Sequence, residues 1–210
     1  MDFRNLISRF FTSLFLILFL FIFIYYYEQY IPFVILLIYI MIFCEILFFF
    51  KNKKQRSFVL FLYVFLSLTS IEIYFIYFYE KIIFLYFILL IICFDIFSYV
   101  FGSLFGKKKI IPKISPNKTI FGFVAGSLFT LFISMIFNDY FYIFSFFTSI
   151  IFSIIIILSA FIGDFIESFY KRYFNIKNSS NFLPGHGGIF DRLDSFVMCS
   201  ISMLIICFFI

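Results

Sequence analysis

The chain has 210 residues, 65% hydrophobic and 13% charged, with a mean hydropathy of +1.15 and a formal net charge of +5. A water-soluble domain of this size has no interior large enough to hide that much apolar surface, so soluble classes of function are excluded and nucleic acid is not expected as a partner. What remains is an all-α, polytopic helical membrane protein.

Apolar runs cover roughly 10–27, 31–50, 57–79, 82–105, 119–138, 140–162 and 195–210. Each is near the ~20 residues needed to cross a bilayer, the last being short, so about seven transmembrane helices are expected. The first run has no small-residue cleavage site and reads as a retained span. Of the 16 Lys and Arg residues, all but Lys81 fall in 1–9, 51–56, 106–118 and 163–194. These segments share one side of a seven-span chain. Positive charge marks the cytoplasmic side, so the N-terminus and both long polar loops are expected there. The same charge suits anionic membrane lipids. The four cysteines lie inside apolar runs without metal-ligand spacing and read as small buried hydrophobes.

Within the runs, polar residues are the informative ones. Glu45 sits late in the second run and is read as a structural residue snorkelling toward the cytoplasmic boundary. Glu72, in the third, is read as a contact to a partner helix or as a break in the run. Asp95, Ser98, Tyr99, Gly102 and Gly106 share one helical face. An acid in a span is costly unless it faces a cavity or a partner, so this face is a functional candidate. Gly122 and Gly126 form a Gly-x-x-x-Gly, which serves close packing within the chain or the seam of a possible homodimer.

The stretch from Gly163 to Ser195 is polar, glycine-rich and wedged between two apolar runs. On a helix, Asp164, Glu167, Ser168 and Lys171 form one stripe, and Asp191, Asp194 and Ser195 repeat the spacing at the start of the next helix. Between them lies Pro184-Gly185-His186-Gly187-Gly188, with the chain's single histidine. Carboxylate oxygens suit magnesium. Glycines let backbone amides approach a phosphate, and Lys171, Arg172, Lys177 and Arg192 can neutralise phosphate charge. His186 reads as a phosphate contact or loop-ordering residue, with acid-base work open to it. Together these residue types fit metal-assisted phosphoryl or nucleotidyl transfer.

This segment resembles the C-terminal signature of the phosphatidate cytidylyltransferases, or CDP-diacylglycerol synthases: Ser168, Lys171-Arg172, Lys177, Pro184 to Gly188 and Asp191-Arg192-Leu193-Asp194 stand at the family's spacing. Asn178 replaces the usual Asp. Upstream, Asp95, Ser98-Tyr99 and Gly102 echo a second family pattern, and Ser115, Pro116, Lys118, Thr119 and Gly122 a third, with Ile120 and Phe121 in place of Trp and Glu. The resemblance is good over about 95–200. Family members are commonly longer, so the chain looks like a reduced version.

The resemblance implies transfer of a cytidylyl group from CTP to phosphatidic acid with Mg2+, giving CDP-diacylglycerol and pyrophosphate. It implies spans in 1–94 and a catalytic region over 95–210, with loops 106–118 and 163–194, in a bacterial inner membrane. Asp164 and Asp191 are expected to hold the metal, with Asp194 and Glu167 in support. Lys171, Arg172 and His186 complete the catalytic set. Ser115, Lys118, Thr119, Ser168, Lys177, Gly187, Gly188 and Arg192 are the expected substrate contacts. A CTP-dependent polyprenol or phytol kinase, a small transporter using Asp95 and Glu72, and a non-catalytic relative are the alternative readings.

Overall fold

The computed structural model describes residues 26–49, 54–176, 179 and 188–209. Two compact units are distinguished, residues 1–37 and 38–210. In the first, a 3-10 turn at Glu28–Tyr30 precedes the opening turns of helix α1, Ile31–Phe49. The second carries the rest of α1 and α2 (Lys54–Tyr77), α3 (Lys81–Phe105), α4 (Ile120–Phe141), α5 (Phe146–Phe174) and α6 (Phe190–Phe209).

Among the described residues, six helices are long and apolar enough to cross a membrane. The protein is an all-α polytopic membrane protein, as its composition demands. The expected first span, 10–27, lies almost wholly outside the described residues. Two expectations need correcting. The basic loop 106–118 contains an antiparallel hairpin, β1 (Lys109–Ile111) with β2 (Ser115–Thr119), in which Lys109 faces Thr119 and Ile111 faces Ser115. Of the cysteines, Cys199 is buried but Cys44 is exposed, because its side of α1 faces outward.

Helix ends follow local chemistry. Thr119 caps α4, its hydroxyl accepting the N–H of Gly122 at 3.1 Å, and Ser145 caps α5 by accepting that of Thr148 at 3.3 Å. The apolar run ends at 162, but α5 continues to Phe174, because hydropathy marks the edge of hydrocarbon rather than the end of a helix. It stops where Asn175 turns left-handed (φ 57°), with the N–H of Ile176 reaching back to the carbonyl of Lys171 at 3.0 Å.

Small and hydroxylated residues set how closely the helices approach. A Cβ on Gly122 would lie 2.6 Å from the Ser98 carbonyl oxygen, and one on Gly126 2.8 Å from the Ser98 nitrogen. The Gly-x-x-x-Gly therefore seats α4 against α3 within the chain. Deeper in the bundle, the Tyr86 hydroxyl on α3 meets those of Ser134 (2.5 Å), Ser149 (2.8 Å) and Ser153 (3.0 Å) on α4 and α5. The Ser67 hydroxyl on α2 contacts Tyr39 on α1 and donates to the Val197 carbonyl on α6 at 2.6 Å.

Candidate functional site

The site is built where α5 and α6 touch. Gly163 makes that contact possible: a Cβ there would stand 2.4 Å from the Asp194 carbonyl oxygen and 3.0 Å from the Met198 Cβ. Backbone-to-backbone packing at this point brings Asp164, the next residue on α5, against the first turns of α6. Here the chain encloses a cavity of about 680 Å3, with α3 and the β-hairpin forming its other walls.

The acids fall into two groups. In the first, the Ser195 hydroxyl lies between two carboxylates, 2.8 Å from Asp164 Oδ1 and 3.4 Å from Asp95 Oδ1. Asp194 is within hydrogen-bonding reach of Asp164. Lys118, from β2, forms an ion pair with Asp164, and its ammonium stands 5.5 Å from the centre of the Phe161 ring. In the second group, Lys171 pairs with buried Glu167 one turn back on α5 and lies 3.6 Å from Asp191 Oδ1. Asp191 folds back over the start of α6: its two oxygens each accept the Ser179 N–H at 3.0 Å, and Oδ2 also accepts that of Gly188 at 3.1 Å.

Most of the expected residues that can be located converge. Ser115, Lys118, Thr119, Asp164, Asp191, Arg192 and Asp194 line the cavity, and so does the face formed by Asp95, Ser98, Tyr99, Gly102 and Gly106. Residues 46 positions apart, Lys118 and Asp164, meet in one ion pair. Thr119 has a second duty as the cap of α4. Lys171 is engaged with Glu167 and Asp191, and Arg172 donates to the Ile114 carbonyl at 3.2 Å, tying α5 to the hairpin turn. Ser168 lies on α5 beyond the cavity wall. Gly188 serves through its backbone N–H. Lys177, Asn178, His186 and Gly187 lie outside the described residues. Ile120 and Phe121, where the chain departs from the third pattern, are both exposed on α4, and neither lines the cavity. Ser179, not singled out in the sequence, is fully buried and holds Asp191.

Among the described residues, no three His, Cys, Asp or Glu side chains form a ready-made chelate. Magnesium does not require one, since it is commonly held by one or two carboxylates completed by substrate phosphates and water. Asp164 and Asp194, with Asp95 joined to Asp164 through Ser195, are hard oxygen donors. Three carboxyl groups gather there around one ion pair, Lys118 with Asp164, and a divalent cation is the kind of partner that would let crowded carboxyls ionise together. Asp191 fits less directly, because both its oxygens already bind backbone N–H groups.

The model of the cytidylyltransferase family matches residues 58–210, which include every residue lining the cavity. The phosphatidate cytidylyltransferase of Staphylococcus saprophyticus is 41% identical over 156 residues, 70% of this chain and 58% of that protein. Those of Staphylococcus aureus and Staphylococcus haemolyticus are 40% and 39% identical over 153 residues, with the same coverage. The chain thus spans 58% of the length of these curated relatives. The cavity, its acids from α3, α5 and α6 and its basic hairpin are those of a chain that belongs to the cytidylyltransferase family.

Proposed function

We propose that this protein transfers the cytidylyl group of CTP to phosphatidate. A phosphate oxygen of the lipid attacks the α-phosphorus of CTP. The bond from that phosphorus to the oxygen bridging the α- and β-phosphates breaks, pyrophosphate leaves and CDP-diacylglycerol forms. The observation that carries the proposal is the cavity itself, where a basic hairpin and the acidic ends of two spans meet at the edge of an apolar bundle. A lipid phosphate and a soluble nucleotide can share only such a boundary. The names of the relatives support the same substrate.

Both reactants are anions, so the first requirement is to offset their repulsion. Lys118 and Arg192, both on the cavity wall, supply positive charge to phosphate oxygens. Asp164, with Asp194 beside it, would hold magnesium. The ion, once bound, would neutralise phosphate charge and align attacking and leaving oxygens. Ser195 orients Asp164. Lys171 balances Glu167 and Asp191, while Asp191 keeps the start of α6 closed over Gly188 and Ser179. The lipid phosphate is already ionised near neutral pH, so the attack needs no strong general base. The charge pattern supports a cavity opening toward the cytoplasm, in a bacterial inner membrane.

The test is product formation from radiolabelled CTP and phosphatidate with magnesium in detergent, for the parent chain, Asp164→Asn and Asp191→Asn. Labelled CDP-diacylglycerol from the parent, with at least a hundredfold loss in Asp164→Asn, is the expected result. A folded parent that forms no lipid product overturns the assignment. Phosphorylation of added polyprenol would move it to a lipid kinase.

A further inference from the structure

We infer that Glu45 is a positioning residue for this site, capping α6 from a different helix and setting where its acidic first turns stand. The inference rests on the reading of the cavity as the place of cytidylyl transfer and adds a residue to it.

The first N–H groups of any helix have no partner within it. Ordinarily a Ser, Thr, Asp or Asn at the helix start supplies the acceptor. In α6 the local acid, Asp191, is turned toward Ser179 and Gly188. The N–H groups of Ile189 and Phe190 instead donate to Glu45 on α1, at 2.8 Å to Oε1 and 3.0 Å to Oε2. The Ser179 hydroxyl donates to the same Oε2 at 3.2 Å. Glu45 is only 4% exposed. A carboxylate buried to that degree is tolerated because charge-assisted N–H donors and the positive end of a helix surround it.

The sequence separation gives this cap its significance. Glu45 and Ile189 are 144 residues apart. A local cap only stops a helix fraying, whereas this one also fixes the height of α6 relative to α1. Asp191, Arg192, Asp194 and Ser195 all lie within the first two turns of α6. Ser179 bridges the arrangement, giving its hydroxyl to Glu45 and its N–H to Asp191. One carboxylate therefore holds both the helix start and the residue that holds Asp191. The packing of α1 has a separate tie deeper in the bundle, through Tyr39, Ser67 and the Val197 carbonyl.

The full chain in detergent is assayed as Glu45→Gln, Glu45→Asp, Glu45→Ala and, as a packing control, Tyr39→Phe. The readouts are kcat and KM for each substrate, melting temperature, and amide hydrogen exchange over 188–195 and 120–141. Glu45→Ala should lower kcat roughly tenfold to a hundredfold, as expected for ångström-scale misplacement, with KM for phosphatidate within about twofold. Exchange should quicken over 188–195 and stay unchanged over 120–141. Glu45→Asp keeps the charge and should recover part of kcat. Glu45→Gln, which turns an NH2 group toward N–H donors, should recover less. Tyr39→Phe should lower the melting temperature and leave kcat near the parent value. Parent-like kcat and protection in Glu45→Ala would overturn the inference, as would faster exchange in both segments together. Should Glu45→Ala fail to fold, the isosteric Glu45→Gln decides by the same readouts. A parent silent toward CTP and phosphatidate would overturn the reaction reading, while exchange over 188–195 would still decide whether Glu45 caps α6.

Discussion

Gly163→Ala tests whether the contact between α5 and α6 creates the site. The added Cβ would fall 2.4 Å from the Asp194 carbonyl oxygen, where ordinary contact begins at 3.4 Å. The obstacle is backbone, so no side chain can swing aside and the two helices must separate by about 1 Å. Overpacking of this kind costs about 1–3 kcal/mol. The catalytic cost is larger in proportion. Asp164 and Asp194 sit on either side of the contact, and a displacement of about 1 Å between reacting groups costs on the order of a hundredfold in rate. The assay is initial rate of CDP-diacylglycerol formation alongside a melting curve in the same detergent. A folded Gly163→Ala protein with a rate within twofold of the parent would refute the reasoning, since it would show that the spacing of the two acids is not set there.

Lys118→Met removes the ammonium that pairs with Asp164. KM for CTP should rise about tenfold or more while the melting temperature moves little, measured by CTP titration at fixed lipid; an unchanged KM would exclude Lys118 from phosphate binding. Asp164→Asn should raise the magnesium concentration for half-maximal rate at least tenfold, and a parent-like magnesium dependence would move the ion elsewhere. Tyr86→Phe takes away the hydroxyl shared by Ser134, Ser149 and Ser153 in the bundle interior. It should cost about 1–3 kcal/mol of stability with kcat unchanged, read by unfolding in mixed micelles, and a loss of kcat at full stability would contradict a purely structural role.

Much of this site was legible in the sequence because helical periodicity is local. Asp164, Glu167 and Lys171 share a stripe at any depth in any bundle, and so do Asp191, Asp194 and Ser195. Asp95 announced itself as an acid in an apolar run. Glu45 gave the same signal but read as a snorkelling side chain, since nothing near it in sequence indicates that α1 passes the start of α6. The meeting of Lys118 with Asp164 was legible only to the level of a shared membrane side, which charge counting provides. The hairpin was missed because three residues of strand, Lys109–Ile111, are too few to show alternation. The polar extension of α5 past residue 162 was legible in the stripe of Asp164, Glu167 and Lys171, which puts 163–174 on a helix, and the helix runs to Phe174. Ser179 gave no signal: its N–H is one that every residue but proline has, and the partner of its hydroxyl, Glu45, is 134 residues away.

The length of α5 has a consequence for how the proposed reaction would be assayed and saturated. Its 29 residues extend about 44 Å, against about 30 Å of hydrocarbon, and Asp164 comes about 27 Å from its start. For a helix along the membrane normal, that acid stands at the level where the acyl chains give way to headgroups. A phosphatidate molecule would thus arrive by lateral diffusion at its own depth, without being lifted from the leaflet, while CTP comes from the water. The two substrates then obey different concentration scales. The rate should saturate with the mole fraction of phosphatidate in the micelle or bilayer, and diluting it with inert lipid at constant bulk amount should slow the reaction. CTP should titrate as an ordinary solute.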